Sequence, residues 1–293
     1  MEFTLSTHLL VYEELGHLAL AALGASGYPK LEVWLAEPHV PWRNAAALSA
    51  FRGRLADYGL CAASVHLPFY PSVPELLEKN ARWSLIDRSK QARKEAFAAT
   101  ADGLHAAAAL GASCGVLHLG WQGDAWNAST EDWAREAVAA LVPVAKEAGV
   151  KLLLENIISS GTRVAKLVEL LDEIDPSRHV GLCLDLGHAH VEGKVLEELQ
   201  AALPRLDHLH VHDNDGRTDS HLAPGHGTIP WREVLAALDA AHYRGYAALE
   251  LRDGSRGHAG CRATLTQSLT EVAAFRTNLG LGESPNRNVG GEH

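Results

Sequence analysis

The sequence lacks long hydrophobic runs, has few cysteines, and carries no basic segment at its N-terminus. No apolar run approaches the roughly 18 residues that a membrane-spanning helix needs, so no contact with a membrane is expected. Glu2 stands where a signal peptide would carry positive charge. The four cysteines are widely spread and form no Cys-x-x-Cys pair: Cys61, Cys114, Cys183 and Cys261. These absences predict a cytoplasmic protein whose cysteines are buried and reduced.

Positive charge is also scarce. The chain has 26 lysines and arginines against 36 aspartates and glutamates, which gives a formal net charge of −10. Duplex-DNA binding depends on lysines and arginines at phosphates, so duplex DNA is a disfavoured partner and a small-molecule substrate is expected. The one basic cluster runs from Lys79 to Lys94, and we expect half of it to lie on a solvated helix face. The chain is expected to be a monomer or a homodimer.

Short apolar runs alternate regularly with longer amphipathic stretches. Continuously apolar runs of this kind indicate parallel strands covered on both faces. Eight strand–helix units predict an α/β fold, a single-domain (β/α)8 TIM barrel over residues 1–279, and residues 280–293 are predicted to be a disordered tail. The predicted strands are Phe3–Thr7, Leu31–Leu35, Cys61–His66, Gly115–Leu119, Lys151–Glu155, His179–Asp185, His208–His212 and Ala247–Leu251. The predicted helices are Asn44–Tyr58, Arg88–Leu110, Glu131–Ala148, Thr162–Ile174, Val195–Leu203, Trp231–Ala241 and Arg262–Leu279.

Histidine is abundant, with 17 residues, and many lie where a predicted strand ends. Catalytic residues of a TIM barrel lie at the carboxyl ends of its strands. Six consecutive strands end with an imidazole or a carboxylate: His66, His118, Glu155, Asp185, His210 and Glu250. Converging carboxylates would repel one another without a cation between them, so the pattern predicts a metal site. Mixed oxygen and imidazole ligands suit Zn, Mn, Co or Fe better than Ca.

The number of ions is left open by the spacing alone. A single four-ligand site would use Glu155, Asp185, His210 and Glu250. His66 and His118 could flank a second ion that shares Glu155. A third set follows in the chain, with His188 one turn beyond Asp185, and Asp219 and His221 after strand seven. We expect His208 or His212, on the same face of strand seven as His210, to orient a ligand.

Several motifs in order resemble one known superfamily over roughly residues 3–278. They are Ser64–His66, Val116–His118, Leu154–Asn156, Cys183–His188, His208–Asp215, Asp219–His221 leading into Pro224–Gly227, and Leu249–Leu251. The chain resembles the xylose-isomerase-like TIM barrels, the group that also contains endonuclease IV. The resemblance implies two or three Zn²⁺ ions, with Mn²⁺ or Co²⁺ possible. It implies a first ion at His66, His118 and Glu155, a second at Glu155, Asp185, His210 and Glu250, and a third at His188, Asp219 and His221.

Two enzyme activities are compatible with this pattern. The main hypothesis is metal-dependent hydrolysis of small phosphoesters, with Glu155, Asp185 and Glu250 as catalytic ligands and Arg217 neutralising the phosphate. The loop Ala36–His39 after strand two lacks the basic residues of DNA-cutting relatives. The alternative is a sugar or sugar-phosphate isomerase or epimerase, in which Glu155 and Glu250 move a proton. Trp34, Phe69 and Trp121 would then wall the pocket. A non-catalytic metal- or sugar-binding barrel is the third, less favoured reading.

Overall fold

The computed structural model describes residues 1–252 and 260–280 of the chain. Eight parallel strands form one closed barrel in which each strand pairs with its neighbours in sequence and the last pairs with the first. The strands are β1 Glu2–Ser6, β2 Lys30–Trp34, β3 Cys61–His66, β4 Cys114–Leu117, β5 Lys151–Glu155, β6 Val180–Asp185, β7 Leu206–Val211 and β8 Tyr246–Leu249. The predicted (β/α)8 barrel is therefore confirmed.

Helices follow the strands and cover the outside of the barrel. They are α1 His17–Gly24, α2 Ala45–Asp57, α3 Val73–Lys79, α4 Lys90–Leu110, α5 Ala128–Ala148, α6 Val164–Ile174, α7 Leu186–Val191, α8 Val195–Ala202, α9 Trp231–Ala240 and α10 Gly260–Asn278. A short 3₁₀ helix, Thr7–Leu10, follows β1. The sequence pattern did not predict α1, α3 or α7, which are short and give little room for a helical period to be recognised.

The strands are buried on both faces, which explains their continuous apolar composition. Leu152, Leu153 and Leu154 of β5 alternate between the barrel interior and the helical layer, yet all three are fully buried. Burial of apolar surface stabilises a protein by roughly 25 cal/mol per Å², so the burial of these side chains favours closure of the barrel. Polar side chains on such strands are consequently confined to the strand ends or to hydrogen-bonded positions inside the barrel.

Two predictions about local structure were wrong. Helix α5 begins after Asn127 and not at Glu131, because the Asn127 side chain accepts from the backbone N–H groups of Ser129 and Thr130. Thr130 in turn accepts from the Asn127 N–H, which completes a capping box. Cys61 is exposed, unlike the buried Cys114 and Cys183, because it starts β3 at the amino end of the barrel. The side chain of Cys261 lies outside the described residues.

Asp213 organises the long loop that leaves β7. Its buried carboxylate accepts from Trp231 Nε1 and Gly225 N at 2.8 Å each, and from Ile229 N at 3.2 Å. An isolated pair of backbone bonds joins Asp213 to Leu222. The segment between them, which carries Asp219 and His221, is thereby held over the carboxyl rim of the barrel.

Within the described residues, no helix is both long and apolar enough to cross a membrane. The tail predicted for residues 280–293 lies outside the described residues except for Gly280. The predicted domain boundary at residue 279 stays a prediction.

Replacing Asp213 should destabilise the protein. In Asp213→Ala, four N–H donors lose a charged acceptor, those of Asn214, Gly225, Ile229 and Trp231, so the free energy of unfolding should fall by about 3 kcal/mol. Urea denaturation followed by circular dichroism measures this change. The matched control is Asp215→Ala, which removes an exposed carboxylate from the same loop and should have a smaller effect. An unchanged urea midpoint for Asp213→Ala would contradict the role given to this carboxylate.

Candidate metal centre

The nine predicted metal ligands come together at the carboxyl rim of the barrel. They form three adjoining clusters in which every ligand atom lies within 4.8 Å of the others in its cluster: His66, His118 and Glu155; Glu155, Asp185, His210 and Glu250; and His188, Asp219 and His221, joined by His212. The closure of the barrel is what brings residues from strands β3 to β8 to one place. Their assignment as ligands remains a prediction.

The first cluster joins β3, β4 and β5. Glu155 Oε2 lies 2.8 Å from His118 Nε2 and 3.5 Å from His66 Nε2, and the two imidazole nitrogens are 3.4 Å apart. His66 donates from Nδ1 to the carbonyl of Leu67 at 3.0 Å. The lone pair of His66 is therefore on Nε2, the nitrogen that faces Glu155 and His118.

The second cluster centres on His210, which is fully buried. Its Nδ1 atom lies 2.7 Å from Glu250 Oε2, 3.1 Å from Glu155 Oε1 and 3.7 Å from Asp185 Oδ2. Three strands, β5, β6 and β8, thus direct carboxylates at one imidazole of β7. Glu155 contributes one oxygen to this cluster and the other to the first, so it bridges the two.

The third cluster joins α7 to the loop after β7. Asp219 Oδ2 lies 3.2 Å from both His188 Nε2 and His221 Nε2. His188 donates from Nδ1 to the Asn156 carbonyl, and His221 donates from Nδ1 to the Glu250 carbonyl. Both rings therefore turn Nε2 toward the Asp219 carboxylate. His221 has a left-handed backbone (φ 45°), an uncommon conformation for a non-glycine residue that recurs at functional sites.

His212 links the second and third clusters. Its Nε2 atom lies 3.0 Å from Asp185 Oδ2 and 3.9 Å from Asp219 Oδ1, and its ring stacks on His221 with a centroid distance of 3.9 Å. Gly187 makes this position possible, because a Cβ atom there would overlap the His212 ring. His208 or His212 was expected to orient a ligand, and the Nε2 atom of His212 itself lies among the candidate ligand atoms.

Mutual attraction sets the charge state of these groups. Burial alone would raise the pKa of Glu155, but the imidazoles of His210 and His118 hold that pKa well below its usual range. Burial lowers the pKa of His210, yet Cys183, Glu155 and Glu250 together raise it well above 6.5. For His221, the hydrogen bond and charge of Asp219 outweigh burial and raise the pKa to about 9. Protons on these imidazoles balance buried carboxylate charge, which a metal cation would balance in their place.

The donor set fits a transition-metal ion. His66, His188 and His221 each have Nδ1 engaged by a backbone carbonyl, the arrangement that orients metal-binding imidazoles in proteins. The buried oxygen Glu250 Oε2 has no well-aligned hydrogen bond among the described residues, although it lies 2.7 Å from His210 Nδ1 in the second cluster. Nitrogen and oxygen donors together suit Zn²⁺, Mn²⁺ or Co²⁺.

A further polar layer, which the sequence analysis missed, lies beneath the rim. Glu32 is fully buried inside the barrel, where its carboxylate accepts from Ser64 Oγ at 2.9 Å and pairs with His208 Nε2 at 2.9 Å. Its other oxygen lies 3.0 Å from His210 Nε2. His208 thus pairs with Glu32, while its ring lies edge-on to that of His210 with a centroid distance of 5.6 Å. A glutamate inside the apolar run of β2 was the available signal.

Aromatic rings wall one side of the site. The Trp34 ring lies 4.4 Å from the His66 ring, and the Phe69 ring lies 4.7 Å from His118 and 4.9 Å from Trp121. These three aromatic residues were predicted from the sequence, but His8, whose ring lies 4.3 Å from Trp34, was not. His8 directly follows the predicted end of strand one, so the rule used for the other strands would have found it.

Two predicted contributors lie apart from the clusters. Arg217 is exposed, and within the described residues its side chain makes no hydrogen bond or ion pair with a cluster residue. Of the basic cluster 79–94, Arg82 packs over the Trp121 ring at 4.4 Å, Lys90 is exposed at the start of α4, and Arg93 is half-buried over the Trp133 ring at 3.8 Å. Arg217 as a catalytic residue therefore remains a prediction without a contact to support it.

Curated relatives cover much of the chain. It is 30% identical over 196 residues to the uncharacterized protein MJ1311 of Methanocaldococcus jannaschii, a match that spans 64% of this chain and 63% of the relative. It is 24% identical to the fructoselysine 3-epimerase of Shigella flexneri, over 77% of this chain and 81% of that protein. It is 30% identical to a probable endonuclease 4 of Methanoculleus marisnigri, over 59% and 63% of the two chains.

Solved structures show the same fold. A D-tagatose 3-epimerase-like protein superposes with a TM-score of 0.76 at 20% identity, over 96% of this chain and 99% of the other. The family model described as the xylose isomerase-like TIM barrel matches residues 19–275, a span that contains all nine predicted metal ligands. The chain therefore belongs to the xylose isomerase-like TIM barrel family.

Proposed function

We propose that this chain is a divalent-metal-dependent epimerase or isomerase that acts on a ketose or a ketose derivative. The observation that carries the proposal is the approach of Glu155 and Glu250 to His210 from β5 and β8, at 3.1 Å and 2.7 Å, beside an aromatic wall. The epimerase names of several relatives support it. This reverses the order of the two hypotheses that the sequence suggested.

Two carboxylates that enter one site from different strands can act on the two faces of a substrate carbon. One carboxylate removes the proton from the carbon next to the carbonyl, and the other returns a proton to the opposite face of that carbon. The configuration at that carbon is thereby inverted. Burial of both carboxylates excludes water that would exchange the proton. A bound divalent ion would polarise the carbonyl and hydroxyl oxygens of the substrate.

The aromatic wall suits a sugar. Trp34 is buried and Phe69 and Trp121 are half-buried, so each offers a ring face or edge at the site. C–H groups on the apolar face of a sugar pack against such rings, while the hydroxyl groups turn toward the imidazoles and carboxylates. The wall and the charged clusters together present the mixed surface that a ketose needs.

Phosphoester hydrolysis is the second candidate, and one observation favours it. The third cluster, His188, Asp219 and His221, is fully assembled, although proton transfer between Glu155 and Glu250 does not require it. The similarity to a probable endonuclease 4 points the same way. The fold alone supports both chemistries, so the assay must decide.

Glu155→Gln should reduce epimerisation by about 100-fold or more, because an amide cannot take up the substrate proton. Steady-state rates on D-fructose, D-tagatose and D-psicose with added Mn²⁺ measure this loss. Glu169→Gln, an exposed glutamate of α6, is the matched control and should keep the wild-type rate. Retention of more than about a tenth of the rate by Glu155→Gln would leave less than ~1.4 kcal/mol of the barrier dependent on this residue and would refute its role.

The third cluster separates the two activities. Asp219→Ala and His221→Ala should each remove one metal ion per chain from a wild-type content of two or three. Ketose epimerisation should fall by less than about tenfold, whereas hydrolysis of p-nitrophenyl phosphodiesters, if it occurs, should fall by about 100-fold. Elemental analysis and parallel rate measurements supply the data. If the wild type hydrolysed phosphoesters and did not epimerise ketoses, the chain would be a hydrolase instead.

Metal affinity should rise with pH. His210 and His221 have raised pKa values, about 9 for His221, and both are protonated at pH 7 until a cation displaces the protons. Affinity for Mn²⁺ should therefore increase from pH 6 to about pH 9, and binding should release protons. Calorimetry in buffers of different ionisation enthalpy counts those protons, and His221→Asn should release fewer. A pH-independent affinity across this range would argue against ligation by these imidazoles.

A further inference from the structure

His8 differs from the other histidines of the site in its partners. His66, His118, His188, His210, His212 and His221 all lie within 4.0 Å of a carboxylate oxygen. His8 makes no ion pair with any described carboxylate. It lies in the 3₁₀ turn after β1, so it enters the site from a strand that contributes none of the predicted ligands.

The backbone determines which nitrogen of His8 carries the proton. His8 Nδ1 lies 2.9 Å from the carbonyl oxygen of Leu251, which can only accept a hydrogen bond. Nδ1 is therefore the N–H nitrogen, and the lone pair is on Nε2. Within the described residues, Nε2 has no hydrogen-bond partner.

The His8 ring is held against the metal centre. It packs on Trp34 with a centroid distance of 4.3 Å and lies 5.0 Å from the His221 ring. One of its nitrogens lies within 4.8 Å of ligand atoms of His221 and Glu250. The ring is partly exposed, so a molecule bound at the clusters can reach it.

We propose that His8 determines substrate specificity by accepting, at Nε2, a hydrogen bond from a hydroxyl group of the substrate. The inference rests on the proposed function and specifies its substrate class. A hydroxyl can donate to this nitrogen, whereas the oxygens of an ionised phosphate or carboxylate can only accept. The substrate therefore presents a neutral hydroxyl, and not a phosphate, on the side of the site that β1 forms.

Three substitutions separate the contacts of His8. His8→Gln places an amide oxygen near the Nε2 position and keeps an acceptor there. His8→Asn places its amide near Nδ1, so it keeps the donor to Leu251 and loses the acceptor. His8→Phe keeps the packing on Trp34 and loses both hydrogen bonds. Metal content and thermal unfolding of each variant show whether the site remains assembled.

The decisive experiment pairs these variants with ketohexoses that lack one hydroxyl. The wild type should lose about tenfold or more in kcat/KM on one of 1-, 4-, 5- or 6-deoxy-D-fructose relative to D-fructose. His8→Phe and His8→Asn should show a similar loss on D-fructose and little further loss on that analogue. His8→Gln should retain more activity than either. Equal losses on all analogues, or no loss in His8→Phe, would overturn the proposal.

A second measurement does not depend on turnover. This measurement is ¹⁵N NMR of Zn²⁺-loaded protein with ¹⁵N-labelled histidine. The imidazole signals of His8 are identified as those that are missing from the spectrum of His8→Phe. They should report a protonated Nδ1, and addition of D-glucitol should shift the Nε2 signal as it accepts a hydrogen bond. A protonated Nε2, or no shift with D-glucitol at saturating concentration, would refute the role of His8. Absence of ketose turnover combined with a D-glucitol shift would refute the proposed reaction alone.

Discussion

The need to balance buried negative charge governs the carboxyl end of this barrel. Glu32, Glu155, Asp185 and Glu250 are all buried there, and an ionised carboxylate removed from water is strongly unfavourable unless it is paired. Each of the four lies within ion-pair distance of at least one imidazole. The histidines at this end of the barrel meet this requirement, because imidazoles compensate the charge as cations or bind a metal ion as neutral ligands.

Backbone groups prepare the imidazoles for the second of these roles. Carbonyl oxygens of Leu67, Asn156 and Glu250 each engage the Nδ1 atom of a rim histidine and turn its Nε2 atom toward a carboxylate. Asp213 fixes the position of the loop after β7 by accepting hydrogen bonds from Trp231 and Gly225. The centre is thus held by interactions outside the candidate ligand set, which is how proteins tune metal sites.

The site has two chemically different sides. The clusters from β3 to β8 supply charge, whereas Trp34, Phe69 and His8 supply a wall without carboxylates. A substrate that bridges them needs polar oxygens on one side and a surface of C–H and hydroxyl groups on the other. A ketose would meet both requirements, which is the basis on which we propose epimerisation, and the assembled third cluster is the reason that phosphoester hydrolysis is the second candidate.

The sequence by itself determined the barrel and the position of nine candidate ligands along it. Apolar runs such as Leu152–Leu154 reveal buried parallel strands, and the carboxyl ends of such strands must meet at one rim, so a residue's place at a strand end predicts its neighbourhood. Only the tertiary structure decided which rim residues touch. It placed His212 between Asp185 and Asp219, paired His208 with Glu32, brought His8 against Trp34 and left Arg217 exposed. Such contacts depend on strand register, loop course and side-chain rotamer, and each of these is set by packing between segments far apart in the chain.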